Sequence, residues 1–238
     1  MRVMVVNPNS SETVTGAIME SARRAASPGT ELVAITTKGG TRNIDSAFAD
    51  YLSGAQMIRT CLDAVRSHPP DAVVLAGFGR VGIDALKEAL EVPVVSISEA
   101  SMAMACLLGH RFTTLTMLQQ FIPYQQDLVR LYGFEAKCAS VRAINVNVEE
   151  CVTNREKTLA ELSTEVRRIV AEDRADVVIL ACAGLCGYDR ELSALAGIPV
   201  LDPVAVAVKV AESLVGLGLA QSKACKFAVP PQPLDQYF

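Results

Sequence analysis

The chain has 238 residues, half of them apolar and a fifth charged, with a formal net charge of −4. That balance describes a globular protein large enough to bury its own core, and with no run of basic residues it excludes a nucleic-acid-binding surface. No apolar stretch approaches the roughly 18–20 residues of a membrane span, and the apolar start Met1–Val6 is too short for a secretory leader, so a soluble cytoplasmic protein is expected.

Along the chain, short β-branched runs alternate with longer segments of helical period, the pattern of βαβ units and a mostly parallel sheet. Strands are expected at 2–6, 31–35, 71–76 and 93–97, and again at 112–116, 135–141, 176–181 and 199–201. Helices are expected at 11–24, 55–67, 98–108, 125–132, 149–172 and 203–217, with Pro69, Pro70 and Pro93 at helix ends. The tail 230–238 reads as irregular.

An internal repeat stands out. Asp71–Gly82 aligns without gaps on Asp176–Gly187, with Asp71/Asp176, Val73/Val178, Leu75/Leu180, Ala76/Ala181, Gly79/Gly184 and Gly82/Gly187 identical. After one insertion the match continues from Val92-Pro93-Val94-Val95 into Ile198-Pro199-Val200-Leu201. Weaker echoes link Arg2–Val6 with Arg111–Leu115, and Glu31 onward with Glu135 onward. Shared glycines and a shared proline point to duplication rather than to two similar apolar strands. Two halves related by an approximate two-fold axis bring equivalent loops face to face, and parallel sheets bind ligands beyond the carboxyl ends of their strands. Gly77 is therefore expected opposite Cys182 across a cleft.

Seven cysteines, at 61, 106, 138, 151, 182, 186 and 225, are read as reduced thiols that mostly fill the core. Cys182 differs because it follows a buried strand and precedes Ala183-Gly184, in a turn expected to open into a helix. Amides at such a turn favour negative charge and are expected to lower the thiol's pKa. A thiolate there could take a proton from a carbon beside a carbonyl, the thiol could return one, and the amides of Phe78, Gly79, Ala183 and Gly184 could hold enolate oxygens. Cys106 and Cys186 are read as packed along helices rather than facing the cleft. Cys182 and Cys186, four apart without a companion cluster, do not make a metal site. His68 and His110 read as surface or boundary residues. Arg80 is either a partner for a substrate carboxylate or a solvated residue at a helix start.

The sequence resembles the Asp/Glu/hydantoin racemase superfamily, and is most similar to its hydantoin and allantoin racemases. The resemblance runs nearly end to end through Asn7-Pro8-Asn9-Ser10, Ala76-Gly77-Phe78-Gly79, Ser98-Glu99-Ala100, Arg111-Phe112, Tyr132-Gly133-Phe134, Leu180–Gly184 and Asp202–Lys209. It implies two pseudo-symmetric α/β domains, each a mostly parallel four-stranded sheet flanked by helices. The expected division is 1–98 plus 208–238 against 99–207, with the active site in the interdomain cleft. It further implies cofactor-independent chemistry on a small-molecule substrate, no metal, and assembly as a homo-oligomer. Asn9 and Ser10 after the first strand, and Thr116 and Met117 at the matching place in the second half, are implied at the substrate. Asn9-Ser10 also reads as a helix N-cap.

Family racemases use two cysteines on opposite faces of the stereocentre. The second matches Cys182, whereas the first falls on Gly77, and Arg80-Val81-Gly82 stands where hydantoin-type members carry Asp-Pro-Gly. One cysteine facing one glycine resembles the arylmalonate decarboxylases, in which a single thiol protonates one face of an enediolate. The sequence thus implies a racemase-like enzyme acting at the carbon α to a carbonyl, of a hydantoin-like ring or a small carboxylic acid. The alternatives are a one-cysteine lyase or isomerase and a small-molecule binder that has lost catalysis.

Overall fold

Strands that are apolar at every position suit parallel sheets, because helices cover both faces. The computed structural model describes residues 1–237, apart from the side chains of Val148 and Glu149. It folds into two four-stranded, all-parallel sheets. In the first, β1 (Arg2–Asn7) and β3 (Ala72–Leu75) are central, flanked by β2 (Glu31–Thr36) and β4 (Val94–Ser96) in the order β2-β1-β3-β4. In the second, β5 (Phe112–Thr116), β6 (Cys138–Ala143), β7 (Val177–Leu180) and β8 (Val200–Leu201) repeat that order as β6-β5-β7-β8.

The repeat has a physical explanation. Asp71 accepts the Arg2 backbone N–H at 2.7 Å, and Asp176 accepts the amides of His110 and Arg111 at 2.8 and 2.9 Å. Each carboxylate fastens the start of a central strand to the start of its neighbour, setting Val3 opposite Ala72 and Phe112 opposite Val177. Gly82 and Gly187 both sit at positive φ, +74° and +85°, a conformation that disfavours any side chain.

Helices α1 (Glu12–Ala25), α2 (Ala47–Ser67), α3 (Ile83–Ala89) and α4 (Ile97–Leu108) belong to the first half of the chain. Helices α5 (Phe121–Leu131), α6 (Val148–Thr153), α7 (Arg155–Glu172), α8 (Asp189–Ala196) and α9 (Pro203–Gly216) belong to the second. Five expectations are corrected. The helix expected at 149–172 is broken at Asn154, whose side chain caps α7 by accepting the Lys157 amide. Helix α2 starts at Ala47, eight residues before the expected 55, because Ser46 caps it there. The short helices α3 and α8 were not expected at all; two turns hold too few residues to show a period. The strand expected at 135–141 runs 138–143 after a 3₁₀ turn over Glu135–Lys137. The tail is irregular over 230–233, as expected, but Leu234–Tyr237 forms a 3₁₀ turn, and Phe238 lies outside the described residues.

The long helices α4 and α9 join the halves. Helix α4 packs on β7 and β5 of the second sheet, whereas α9 packs on β1, β3 and β4 of the first, and the two also pack on each other. The expected division at 98 and 208 thus falls within these helices. Among the described residues no helix is long and apolar enough to cross a membrane.

Asp202 fixes the start of α9. Its Oδ1 accepts the Val204 and Ala205 amides at 2.9 and 3.1 Å, and its Oδ2 accepts the Ser21 hydroxyl and the Gly187 amide at 2.5 and 2.8 Å. One buried carboxyl therefore ties α9, α1 and the turn after β7 together. Asp202→Ala removes the cap and strands buried donors, so urea unfolding should show a loss of roughly 2–4 kcal/mol.

Candidate active site

Four strands, β1, β3, β5 and β7, end on the same side of the molecule, and the loops leaving them line a cavity of about 590 Å³. Pro8 and Asn9 come from the first loop, Ala76–Gly79 and Val81 from the second, Thr116 and Met117 from the third, and Ala181–Gly184 from the fourth. The starts of α2 and α5 complete the wall with Ser46, Asp50, Tyr124 and Gln125, among others.

Cys182 borders this cavity and is partly exposed to it. Its backbone is extended, and its Sγ accepts the Gly184 N–H at 3.2 Å. The expected helix after it is a single 3₁₀ turn, Ala183–Leu185. The expected low pKa is overturned as well. Burial pushes the thiol up to about 11, against the opposing pull of the Gly184 and Leu185 amides. Removal from bulk water costs the thiolate more than two backbone dipoles return. Near neutral pH Cys182 is therefore a protonated thiol, equipped first to give a proton. The Gly184 amide, expected to face a substrate, is engaged by the sulfur instead.

Gly77 lies on the cavity wall. A Cβ at this position would sit 2.8 Å from Pro8 Cγ and 3.4 Å from Val81 Cγ2. The Pro8 ring therefore occupies the space a side chain would need.

The other expected residues divide. Asn9, Phe78, Gly79, Thr116, Met117 and Ala183 line the cavity; Ser10 does not, and its amide donates to the Thr41 carbonyl at 3.0 Å. Asn9 is not the cap of α1, because Ser11 is; Asn9 Oδ1 accepts the Asn7 side-chain amide and the Ser11 N–H, both at 2.9 Å. Arg80 does not line this cavity; its half-exposed side chain pairs with Asp84 at 2.6 Å, one helical turn on, in keeping with the solvated reading. Its backbone N–H donates to Tyr124 Oη at 3.0 Å.

All seven cysteines are free. The Cys186 thiol donates to the Ala17 carbonyl at 3.3 Å inside the core, and Cys106 packs against the core from α4; neither lines the cavity. His68 and His110 are exposed and lie away from it. Among the described residues no three His, Cys, Asp or Glu side chains come together as metal ligands.

The sequence reading missed Asp50, Tyr124 and Gln125. Tyr124 of α5 donates to Asp50 Oδ2 of α2 at 3.2 Å, which bridges the two halves. Burial raises the Asp50 carboxyl above its ordinary value, although the Tyr124 hydroxyl and the nearby Arg80 pull it down. Gln125 Nε2 donates to the Phe78 carbonyl at 3.5 Å, again from one half to the other. Two signals were present: Ser46 as a helix cap with Asp50 in the first turn, and Pro123 in the first turn of a helix.

The sequence model of the Asp/Glu/Hydantoin racemase family matches residues 3–211. The hydantoin racemase of Paenarthrobacter aurescens is 36% identical over 232 residues, covering 98% of each chain. The allantoin racemase structure from Klebsiella pneumoniae superposes with a TM-score of 0.94 at 32% identity, covering 98% of this chain and 95% of that one. The allantoin racemase structure from Pseudomonas fluorescens superposes with a TM-score of 0.91 at 38% identity and 98% coverage of both chains. Matched nearly end to end in both sequence and backbone, the chain belongs to the Asp/Glu/hydantoin racemase family.

Proposed function

We propose that this chain is a racemase-type enzyme that needs no cofactor and acts at the carbon α to a carbonyl of a hydantoin-like ring, with Cys182 as proton donor and acceptor. The observation that carries the reading is the Cys182 thiol, set at the end of β7 in the wall of the cavity where the strand-end loops of both sheets meet. The names of the relatives, hydantoin racemase and allantoin racemase, support the choice of ring. In such a ring the C5–H bond lies beside a carbonyl. A base other than Cys182, on the face away from the thiol, takes the C5 proton, and the electron pair of the broken C–H bond moves into the ring and onto that oxygen as an enolate. The Cys182 S–H then gives its proton to C5, the oxygen's electron pair returns to the carbonyl, and a thiolate remains. In the reverse direction that thiolate is the base. Its burial makes it a strong one, because desolvation raises its proton affinity.

One thiol serves one face. Gly77 offers no side chain to the other, so a proton arriving there must come from a different group. The same observation favours a second reading, a one-cysteine lyase that protonates a single face after carbon dioxide leaves.

An enantiopure 5-substituted hydantoin in deuterated water separates the two. A racemase removes the optical rotation while placing deuterium at C5, and Cys182→Ala should slow both by about 10²–10⁴-fold. Deuterium uptake with optical purity retained would mean one-faced exchange, and carbon dioxide release from a malonate-type acid would establish the lyase. The high thiol pKa has its own signature. Alkylation of Cys182 by iodoacetamide, followed by peptide mass spectrometry, should be slow at neutral pH and accelerate toward a midpoint near 11, because only the thiolate reacts. A thiol restored at position 77 meets the Pro8 ring. Gly77→Cys should therefore lower stability by about 1–3 kcal/mol in thermal unfolding, and Pro8→Ala should relieve much of that loss.

A further inference from the structure

Among the described residues, five titratable side chains border the cavity: Asp45, Asp50, Tyr124, Asp127 and Cys182. Three of them are poorly placed to serve the face of a substrate opposite the thiol. Asp45 is exposed ahead of α2, and Asp127 is exposed and pairs with Arg130 at 2.9 Å. Burial holds the Tyr124 hydroxyl well above its ordinary value, so it is no base. Asp50 remains, half-buried in the first turn of α2.

The internal repeat gives its position a meaning. In the loop after β7 the thiol lies against Gly184, whose amide reaches Sγ at 3.2 Å. In the loop after β3 the matching glycine is Gly79, and a Cβ there would stand 3.5 Å from Asp50 Oδ1 and 2.7 Å from Tyr124 Oη. One methyl carbon of Val81 lies 3.4 Å from the Cβ position of both Gly77 and Gly79, so the carboxyl occupies the Gly77 side of the cavity. Its Oδ2 holds the Tyr124 hydroxyl at 3.2 Å, and Oδ1 is the oxygen nearer Gly79. Asp50 also borders an outer hollow of about 650 Å³ beside Arg80 and Asp84, which gives a captured proton a route to solvent.

We infer that Asp50 is a second catalytic residue, taking and returning the C5 proton on the face of the ring that Cys182 does not serve. The inference rests on the carbon-acid reading above and supplies the group that reading lacks. Oδ1 bonds the C5 hydrogen, the electron pair of the C–H bond passes to the carbonyl oxygen, and the Cys182 S–H protonates C5 from the other side. The carboxyl ends protonated and the thiol ionised; the mirror-image substrate runs the same steps backwards. Burial raises the carboxyl above its ordinary value, against the pull of the Tyr124 hydroxyl, the Arg80 charge and the Val81 amide, and so strengthens it as a base. Between that value and about 11 the carboxyl is ionised while the thiol keeps its proton, as the first step requires.

The test follows each enantiomer of a 5-monosubstituted hydantoin separately in deuterated water. Asp50→Asn keeps the shape and an acceptor for Tyr124 but cannot carry the proton. It should slow racemisation of both enantiomers by about 10²–10⁴-fold. Deuterium uptake should fall as far for one enantiomer only; the other, whose hydrogen faces Cys182, should still exchange with its configuration retained. Thermal melting checks that the variant folds. Tyr124→Phe keeps the carboxyl and removes a hydroxyl that lowers its proton affinity, so the acid limb of racemisation should move to higher pH. Uptake slowed equally for both enantiomers, unimpaired racemisation in Asp50→Asn, or an unmoved acid limb in Tyr124→Phe would each overturn the inference. One-faced exchange by the wild type would overturn it while sparing the role of Cys182, whereas no exchange by the wild type would overturn the carbon-acid reading itself.

Discussion

Two carboxylates, Asp71 and Asp176, determine where the central strands begin, and the parallel register then determines where they end. Because each strand is buried on both faces, slipping it by one residue would misplace apolar side chains and break the ladder together. The first residues beyond Ala76 and Ala181 therefore have little freedom. Gly77 and Cys182 lie at the cavity because the aspartates six residues upstream are anchored, and the rest of the site is arranged around those two positions.

The chemistry at these positions is a contest between solvation and local dipoles. Amides at the Cys182 turn do point at the sulfur, as the residue pattern suggested, yet enclosure by the surrounding protein outweighs them. A thiol held protonated suits a reaction in which a carbanion must be quenched before it meets water. On the facing loop, the Pro8 ring and the Val81 methyl group close over Gly77. A side chain at position 77 would thus have to displace the Pro8 ring.

The internal duplication, the parallel strands and the place of Cys182 at a strand end were legible because each leaves a mark at short range: a run of apolar residues, an aspartate before it, a glycine after it. Helices of two turns, such as α3 and α8, left no such mark. The walls of the cavity were harder still. Asp50, Tyr124 and Gln125 reach it from helices distant in sequence from Cys182, and only the docking of α5 against α2 and the Phe78 loop brings them together. The thiol's proton affinity was misjudged for the same reason: a turn can be read from its neighbours in the chain, but dielectric surroundings cannot.

The crossing of α4 and α9 bears on ancestry. Each is the last helix of its half, and each packs on the sheet of the other half. In a precursor with one sheet per chain, the same arrangement would be a reciprocal exchange of arms between two molecules, a domain-swapped dimer. Joining two such genes would have turned an intermolecular embrace into a covalent one without moving a single helix. The core that spans both halves would then be completed only when the two are joined, and the chain should fold as one cooperative body despite its two sheets.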